Sequence, residues 1–291
     1  MSSSILNIRP EDADTVEKRG KYTVSIVGCG QIGVIHACLF AESGFKVKCV
    51  DANQTIVNNI VRGKMPFLKR EIELKLKNYV KMGLLNATTD IRTAVSQSDV
   101  IVITIPVGID KKRTTDYSNL ENTCKLVGSG LRRSSLVIIM SIVGVGVTQG
   151  LIKEALENTS GLKVGADFGL AYSPIPVLNG QTLEILLVLD KERVVAATDR
   201  NSLNAASTIL GIITKSGVRK TENVKVAEAV TLFEAVQQDV NVALANEFAL
   251  FCERIGIDYF EARKLAKTGI CSVLSLPTLN DENSRESPYL L

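Results

Sequence analysis

The sequence is poor in the residue types that build metal centres, disulfide frameworks and nucleic-acid surfaces. His36 is its one histidine, so a zinc site would need an unusual ligand set and no metal site is predicted. The six cysteines include no C-x-x-C and show no paired spacing, which favours reduced core side chains in a cytoplasmic protein. Lys and Arg number 34 against 31 Asp and Glu and are interspersed with them, which argues against nucleic acid as the main partner.

Long hydrophobic runs are also missing. The longest, such as residues 136–147, are too short to span a bilayer, so no membrane association is expected. Residues 1–20 are polar, carry charges of both signs and do not resemble a signal peptide, so they are predicted to form a flexible tail. With 291 residues, 45% hydrophobic and 22% charged, the chain is expected to form a globular protein with two domains.

Residues 22–51 have the pattern of a dinucleotide-binding unit. An apolar, β-branched run at 22–27 predicts a buried strand, the sequence G-x-G-x-x-G follows, and apolar residues then recur at helical spacing until Gly44. A second predicted strand, 45–50, ends at Asp51. In this pattern the first glycine allows a tight turn, the second lets the backbone approach a pyrophosphate, and the third lets helix and strand pack closely.

NAD is the cofactor that this unit predicts. The pyrophosphate is expected on N–H groups at the start of the helix, where the helix dipole favours negative charge. Asp51 can accept hydrogen bonds from both ribose hydroxyls and would repel the 2′-phosphate of NADP. The alternative is that the glycine turn serves only the packing of helix against strand and binds no cofactor. The candidate cofactor-binding residues are Gly28, Gly30, Gln31, Ile32, Gly33, Asp51, Ala52, Pro106, Val107 and Ser141.

The order of predicted elements indicates an α/β protein with a Rossmann-type doubly wound parallel sheet, followed by an α-helical domain built on one long helix. Residues 224–255 keep apolar residues at helical spacing without Gly or Pro, which predicts a helix roughly 45 Å long. Because apolar residues occur on more than one side, we expect a second subunit to pack against it. The expected domains are a tail at 1–20, an NAD-binding domain at 21–214, and a helical dimerisation domain with a polar C-terminal segment at 215–291.

The further predicted strands are 85–88, 99–105, 136–140, 168–173, 183–189 and 193–197, and the further predicted helices are 54–61, 70–82, 91–96, 120–131, 148–156, 202–213 and 257–267.

The order of these pieces resembles the UDP-glucose/GDP-mannose dehydrogenase family, whose UDP-N-acetylmannosamine dehydrogenases look most similar. The resemblance runs from about residue 21 to the end of the sequence. Its most specific segment is NVALANE at residues 241–247, which resembles the family's NIALANE. The other matching landmarks are VGCGQIG at 27–33, Asp51, Gly63 with Pro66, the strand ending at Pro106, Ser141 with Gly146, AYSP at 171–174, and Ala227 with Glu228.

The resemblance implies an enzyme that oxidises a sugar C6 hydroxyl twice, to the acid, reducing two NAD and passing through a thioester on a cysteine. Several positions depart from the family's reactive residues. The segment 277–288, which corresponds to the family's GGHC, has no cysteine; Ser284 lies within it and Cys271 lies upstream. Thr231 and Ala235 stand where the family's long helix has lysine and asparagine. After YSP, Ile175 stands where the family has glutamate, and Pro176 where it has arginine. Val107 stands in place of the threonine in the family's V-P-T-P, and Ile142 in place of the threonine in its ST.

These departures remove the nucleophile, the oxyanion donors and the acid/base group, so no catalytic residue is assigned. The sequence ends at Leu291, before the family's further domain that binds the nucleotide of the sugar donor, and truncation is expected. The favoured interpretation is an NAD-binding pseudoenzyme, homodimeric through residues 224–255, with a nucleotide sugar or a full-length paralogue as further candidate partners. Two alternatives remain open: an active NAD-dependent oxidoreductase acting on a CH–OH group of a nucleotide sugar or small hydroxyl substrate, and a structural homologue whose glycine loop binds nothing.

Overall fold

The computed structural model describes residues 4–110, 112–175 and 192–266. Contacts between Cα atoms divide the chain into two compact units, Met1–Gly108 with Asp116–Ala229, and Ile109–Thr115 with Val230–Leu291. This division lies later in the chain than the predicted boundary at residue 214. Residues 215–229 belong to the first unit, because they add an edge strand to the sheet and because Val224 and Glu228 are completely buried.

The strands are β1 (Thr23–Val27), β2 (Lys46–Val50), β3 (Leu85–Thr88), β4 (Val100–Ile103), β5 (Gly108–Ile109), β6 (Thr115–Asp116), β7 (Leu136–Ile139), β8 (Gly169–Tyr172), β9 (Arg193–Ala197) and β10 (Val218–Thr221). In the described residues, eight of them form one sheet in the order β10-β9-β8-β7-β4-β1-β2-β3, and β5 pairs with β6 in a separate ribbon. Neighbours in the sheet are parallel except β8 and β9, which are antiparallel. The predicted strand 183–189 lies outside the described residues.

The helices are α1 (Val16–Arg19), α2 (Gln31–Glu42), α3 (Gln54–Val61), α4 (Arg70–Lys81), α5 (Ile91–Ser96), α6 (Ser118–Gly130), α7 (Lys153–Ser160), α8 (Arg200–Ile212), α9 (Val224–Ile255) and α10 (Tyr259–Ala266). A stretch of π-helix, Thr148–Ile152, leads into α7. The predicted α/β fold with a mostly parallel sheet is confirmed, and α9 has the bounds that its apolar pattern predicts. Among the described helices none is both long and apolar enough to cross a bilayer.

The sheet has a separate hydrophobic core on each face. On β4, Val100 and Val102 point into one core while Ile101 and Ile103 point into the other. Residues of α2, α4 and α8 complete the first core, and residues of α5, α6 and α7 complete the second. Because both faces are covered, the central strands are continuous apolar runs rather than alternating ones. The ends of the strands remain the places where polar groups can meet a ligand.

The N-terminal segment differs from the predicted flexible tail. Residues 4–20 contain two 3₁₀ turns as well as α1. Ile5, Ile8 and Ala13 are buried and belong to the first core. These apolar residues are few and do not repeat with a helical or strand period, so their contribution could not be predicted from periodicity. The segment is part of the first unit.

Candidate functional site

The carboxyl ends of four neighbouring parallel strands, β7, β4, β1 and β2, meet at one edge of the sheet. Ligands of open α/β sheets bind beyond this edge, at the point where the strand order reverses. That point is β1, because β2 and β3 extend the sheet on one side and β4 and β7 on the other. The sequence-predicted site residues all follow these four strands: residues 28–33 after β1, Asp51 and Ala52 after β2, Pro106 and Val107 after β4, and Ser141 after β7.

The three glycines of the turn have three different environments. Gly28 has a φ of +94°, and a Cβ there would lie 2.8 Å from Ile105 Cδ1. A Cβ on Gly33 would lie 2.0 Å from the carbonyl oxygen of Gly28, so helix and strand are as close as glycine permits. A Cβ on Gly30 would meet nothing within 4 Å. The tight turn, the close packing and the open face that the motif predicts are therefore all present.

The N-terminus of α2 is open towards this free space. Gly30 is the N-cap residue and supplies no side-chain cap, and Gln31 and Ile32 in the first turn are partly exposed. The N–H groups of a first helical turn have no partner within their own helix and attract anions. The helical segment that begins at Thr148 is different, because Glu228 already accepts the N–H group of Thr148 and that of Gly146 just before it. An anion such as a pyrophosphate therefore fits the start of α2.

Asp51 is held in place by the backbone on both sides. Its Oδ2 accepts a hydrogen bond from Cys29 N at 2.8 Å, and its Oδ1 accepts one from Asn53 N at 2.9 Å. Each carboxylate oxygen has more than one acceptor position, so ribose hydroxyls can still donate to it. Ala52, the next residue, is exposed. The carboxylate thus links the end of β2 to the glycine turn and faces the edge where the adenosine half is expected.

Thr104, the residue directly after β4, is a contributor that sequence reasoning does not find. Its Oγ1 donates a hydrogen bond of 2.5 Å to the carbonyl oxygen of Gly28. The same oxygen is the atom that a side chain at position 33 would strike. The sequence indicates this residue only as a hydroxyl side chain directly after an apolar strand. That position does not specify a hydrogen-bond partner 76 residues away.

Three aliphatic residues follow the strands on the other side of β1: Val107 after β4, Ile142 after β7 and Ile175 after β8. Val107, Ile142 and Ile175 are buried, with exposed fractions of 9%, 9% and 4%. Pro106 is exposed. Ser141 is buried, and its Oγ has no hydrogen-bond partner among the described residues. An unsatisfied buried hydroxyl, together with the open face of Gly30, fits a dinucleotide that brings its own polar atoms to this edge.

A buried histidine–arginine pair lies behind the glycine turn. Nδ1 of His36 is 2.8 Å from the carbonyl oxygen of Ile32, which can only accept, so Nδ1 carries the proton. Nη2 of Arg193 donates to Nε2 of the same ring at 2.9 Å. Burial and the adjacent charge of Arg193 lower the pKa of His36 to about 3, and burial lowers the pKa of Arg193 to about 10. His36 is a neutral core residue that connects α2 to β9.

The remaining positions singled out by the sequence fall elsewhere. Thr231 and Ala235 lie on α9, four residues apart, in the second unit. Pro176, Cys271 and Ser284 lie outside the described residues. In the described ranges, no group of three or more His, Cys, Asp or Glu residues could hold a metal ion. The free, buried cysteines are Cys29, Cys38, Cys49, Cys124 and Cys252.

Two sequence models of protein families match the chain. Residues 22–214 match the NAD binding domain of the UDP-glucose/GDP-mannose dehydrogenase family. Residues 225–270 match the central domain of the same family. Between them, the two matches cover the glycine turn, every strand of the eight-stranded sheet except β10, and α9 from its second residue onward.

Individual relatives are similar over most of this chain. The UDP-N-acetyl-D-mannosamine dehydrogenase of Pyrococcus horikoshii is 31% identical over 245 residues, which is 84% of this chain and 57% of the relative. The Escherichia coli enzyme of the same name is 32% identical over 250 residues, 84% of this chain and 58% of its own length. Among solved structures, the Pyrococcus horikoshii enzyme has a TM-score of 0.79 at 30% identity, covering 88% of this chain and 60% of that one. GDP-mannose dehydrogenase from Pseudomonas aeruginosa has a TM-score of 0.78 at 26% identity, covering 84% and 56%. The chain thus spans less than two thirds of the length of these relatives.

The buried His36 is expected to make folding stability depend on pH. Its pKa is about 3 in the folded chain and near 6.5 when unfolded, so below pH 6.5 only the unfolded state takes up the proton. The free energy of unfolding should therefore fall by ~1.4 kcal/mol per pH unit between the two values. Urea unfolding from pH 7 to pH 4 measures this slope. A His36→Gln variant, which has nothing to protonate there, should lack that part of the slope; equal slopes for the two proteins would contradict the assignment.

Replacing Asp51 by alanine is expected to weaken NAD binding by ~1–3 kcal/mol, since hydrogen bonds to a charged acceptor are lost. Isothermal titration calorimetry with NAD gives the two dissociation constants. Asp167→Ala is the matched control, because Asp167 also accepts a backbone hydrogen bond, from Lys163 N at 2.9 Å, but precedes β8 and so lies at the opposite edge of the sheet. The control should bind NAD normally. An unchanged constant for Asp51→Ala would rule out the ribose contact.

Proposed function

Since the chain belongs to the UDP-glucose/GDP-mannose dehydrogenase family, we propose that it binds NAD at the glycine turn and cannot carry out the family's four-electron oxidation alone. The observation that carries this proposal is the contrast between the two sides of one sheet edge. The β1–β2 side has an uncapped helix start, an open glycine and a fixed carboxylate. On the other side, Val107 after β4, Ile142 after β7 and Ile175 after β8 are buried aliphatic residues.

Residues on the β1–β2 side would hold the adenosine half and the pyrophosphate. The backbone N–H groups of Gln31 and Ile32 lie at the helix start and would donate to the phosphate oxygens. Asp51 would accept from the ribose hydroxyls, and Ser141 offers its unsatisfied hydroxyl on the far side. NAD, when bound, supplies the capacity to accept a hydride from a carbon that bears a hydroxyl. These contacts orient the dinucleotide along the edge from β2 to β7.

We propose that the side chains needed for the family's oxidation chemistry are absent. Val107, Ile142 and Ile175 are buried where the resemblance to the family would place two threonines and a glutamate. Aliphatic side chains cannot donate to an oxyanion or hold a catalytic water, and loss of one oxyanion donor alone typically costs ~10²–10³ in rate. On α9, Thr231 and Ala235 replace the expected lysine and asparagine. Without a nucleophile the thioester route is closed.

A second copy of this chain is the partner that we propose for α9. In the described part of the second unit, α9 exposes a row of large apolar residues spaced three or four apart: Phe233, Val236, Val240, Leu244, Phe248, Phe251 and Ile255. Residues at this spacing form one continuous stripe along a helix. Phe233 is 70% exposed and Phe251 59%, and contiguous apolar patches of this kind mark interaction surfaces. The same stripe on a two-fold-related copy is its simplest complement.

The catalytic proposal is tested by combining binding and turnover measurements on the same preparation. Calorimetry should detect binding of NAD and of NADH. Absorbance at the NADH band should not rise when UDP-N-acetylmannosamine or UDP-glucose is added together with NAD. The Pyrococcus horikoshii relative, assayed in parallel, is the positive control. Conversion of either nucleotide sugar to its uronate by this chain alone would refute the proposal. Release of a single NADH per substrate would favour a two-electron dehydrogenase, and absence of any NAD binding would favour a structural homologue.

The dimer proposal predicts a mass of twice 31.5 kDa in light scattering coupled to size-exclusion chromatography. Phe233→Glu combined with Phe251→Glu should give monomers, because both side chains are exposed and charges would face each other across the stripe. Leu126→Glu is the control, since Leu126 is 53% exposed on α6 in the first unit, and this variant should remain dimeric. A monomeric parent chain, or a dimer that survives the double substitution, would contradict the proposal. A monomer that assembles only with a full-length paralogue would contradict it as well.

A further inference from the structure

We infer that Glu228 and Tyr117 are positioning residues that hold the loop after β7 in the conformation that receives the nicotinamide half of NAD. This inference rests on the proposed NAD binding and adds residues that neither contact the glycine turn nor belong to its motif. The loop, residues 140–147, contains Ser141, Ile142 and Gly144 and leads into the helical segment that begins at Thr148.

Glu228 is a fully buried carboxylate with a specific backbone target. Its Oε2 accepts from Gly146 N at 2.7 Å, and its Oε1 accepts from Thr148 N at 2.9 Å. Its exposed fraction is 0%, so solvent does not share these bonds. Hydrogen bonds to an ionised acceptor are roughly twice as strong as neutral ones. One side chain on the first turns of α9 therefore fixes the end of the loop, 80 residues away in sequence.

Tyr117 holds the middle of the same loop. Its Oη accepts a hydrogen bond from Gly144 N at 2.9 Å. A Cβ at position 144 would lie 2.8 Å from that oxygen, so the phenol can approach only because the residue is glycine. Three N–H groups, those of Gly144 and Gly146 in the loop and of Thr148 directly after it, are thus bound by side chains from outside the loop.

The loop needs such anchors because its own sequence gives it little rigidity. It contains two glycines, and Gly146 has a φ of +90°, a conformation that other residues rarely adopt. Glycine has the most backbone freedom to lose, so without the anchors the loop would sample several conformations. The loop follows β7, on the side of β1 opposite to Asp51. If the adenosine half lies over β2, the nicotinamide half must extend towards this loop.

The test compares NAD with ADP-ribose, which has the adenosine, pyrophosphate and second ribose but no nicotinamide. In Glu228→Gln, the amide oxygen can accept one N–H, while the amide NH₂ faces the other N–H group and repels it. We expect NAD binding to weaken roughly 5- to 20-fold as the binding-competent loop conformation becomes less populated. ADP-ribose binding should change less than about twofold, since its contacts lie at the glycine turn. If Glu228 only stabilised the fold, the substitution would weaken the binding of both ligands alike.

Tyr117→Phe is the second variant and deletes one hydrogen bond without changing the packing volume. This substitution should also weaken the binding of NAD selectively over that of ADP-ribose, by roughly two- to fivefold. Asp199→Asn is the matched control, because Asp199 accepts from Ser202 N at 2.9 Å at the start of α8, after the antiparallel β9 and so at the opposite edge of the sheet. The control should bind both ligands normally. Equal losses for NAD and ADP-ribose, or no loss in either variant, would overturn the inference. If the parent chain bound neither ligand, the proposed NAD binding itself would fail.

Discussion

The approach of Gly33 to the carbonyl oxygen of Gly28 is the constraint on which the candidate site depends. A Cβ at position 33 would lie 2.0 Å from that oxygen, so only glycine lets α2 begin so close to β1. Thr104 contacts the same oxygen from β4 and fixes it on the other side. With its start held in this way, α2 presents unpaired N–H groups beside the open face of Gly30, where an anion can reach them.

The rest of the edge is organised by polar side chains that contact backbone or neutral groups of distant segments. Asp51 binds the glycine turn, Glu228 binds the loop after β7, and Arg193 binds the neutral ring of His36. Burying a charged group is costly unless it is hydrogen-bonded, so each contact restricts the segment that it touches. An edge that is already ordered loses little further conformational entropy when a ligand binds, which favours affinity.

Local parts of this arrangement could be predicted from the sequence, and long-range parts could not. The glycine motif, Asp51 and the bounds of α9 depend on residues near one another in the chain, so spacing alone indicates them. The contacts of Tyr117 with Gly144, Glu228 with Gly146 and Arg193 with His36 join residues 27, 82 and 157 positions apart. Nothing in a single sequence specifies such pairs, because they follow from the order of the strands in the sheet. The N-terminal segment differs from the predicted tail for a related reason, since Ile5 and Ile8 are buried against partners far along the chain.

One side of the edge therefore fits a dinucleotide, and the residues that follow β4, β7 and β8 on the other side include the buried aliphatic side chains of Val107, Ile142 and Ile175. The most direct test is a crystal structure of the chain with NAD bound. The account predicts the pyrophosphate over the start of α2, the adenosine ribose against Asp51, and the nicotinamide beside Val107 and Ser141 with no acidic, basic or thiol group within reach of its reactive carbon. Binding of NAD anywhere other than the start of α2, or a reactive side chain positioned at the nicotinamide, would contradict it.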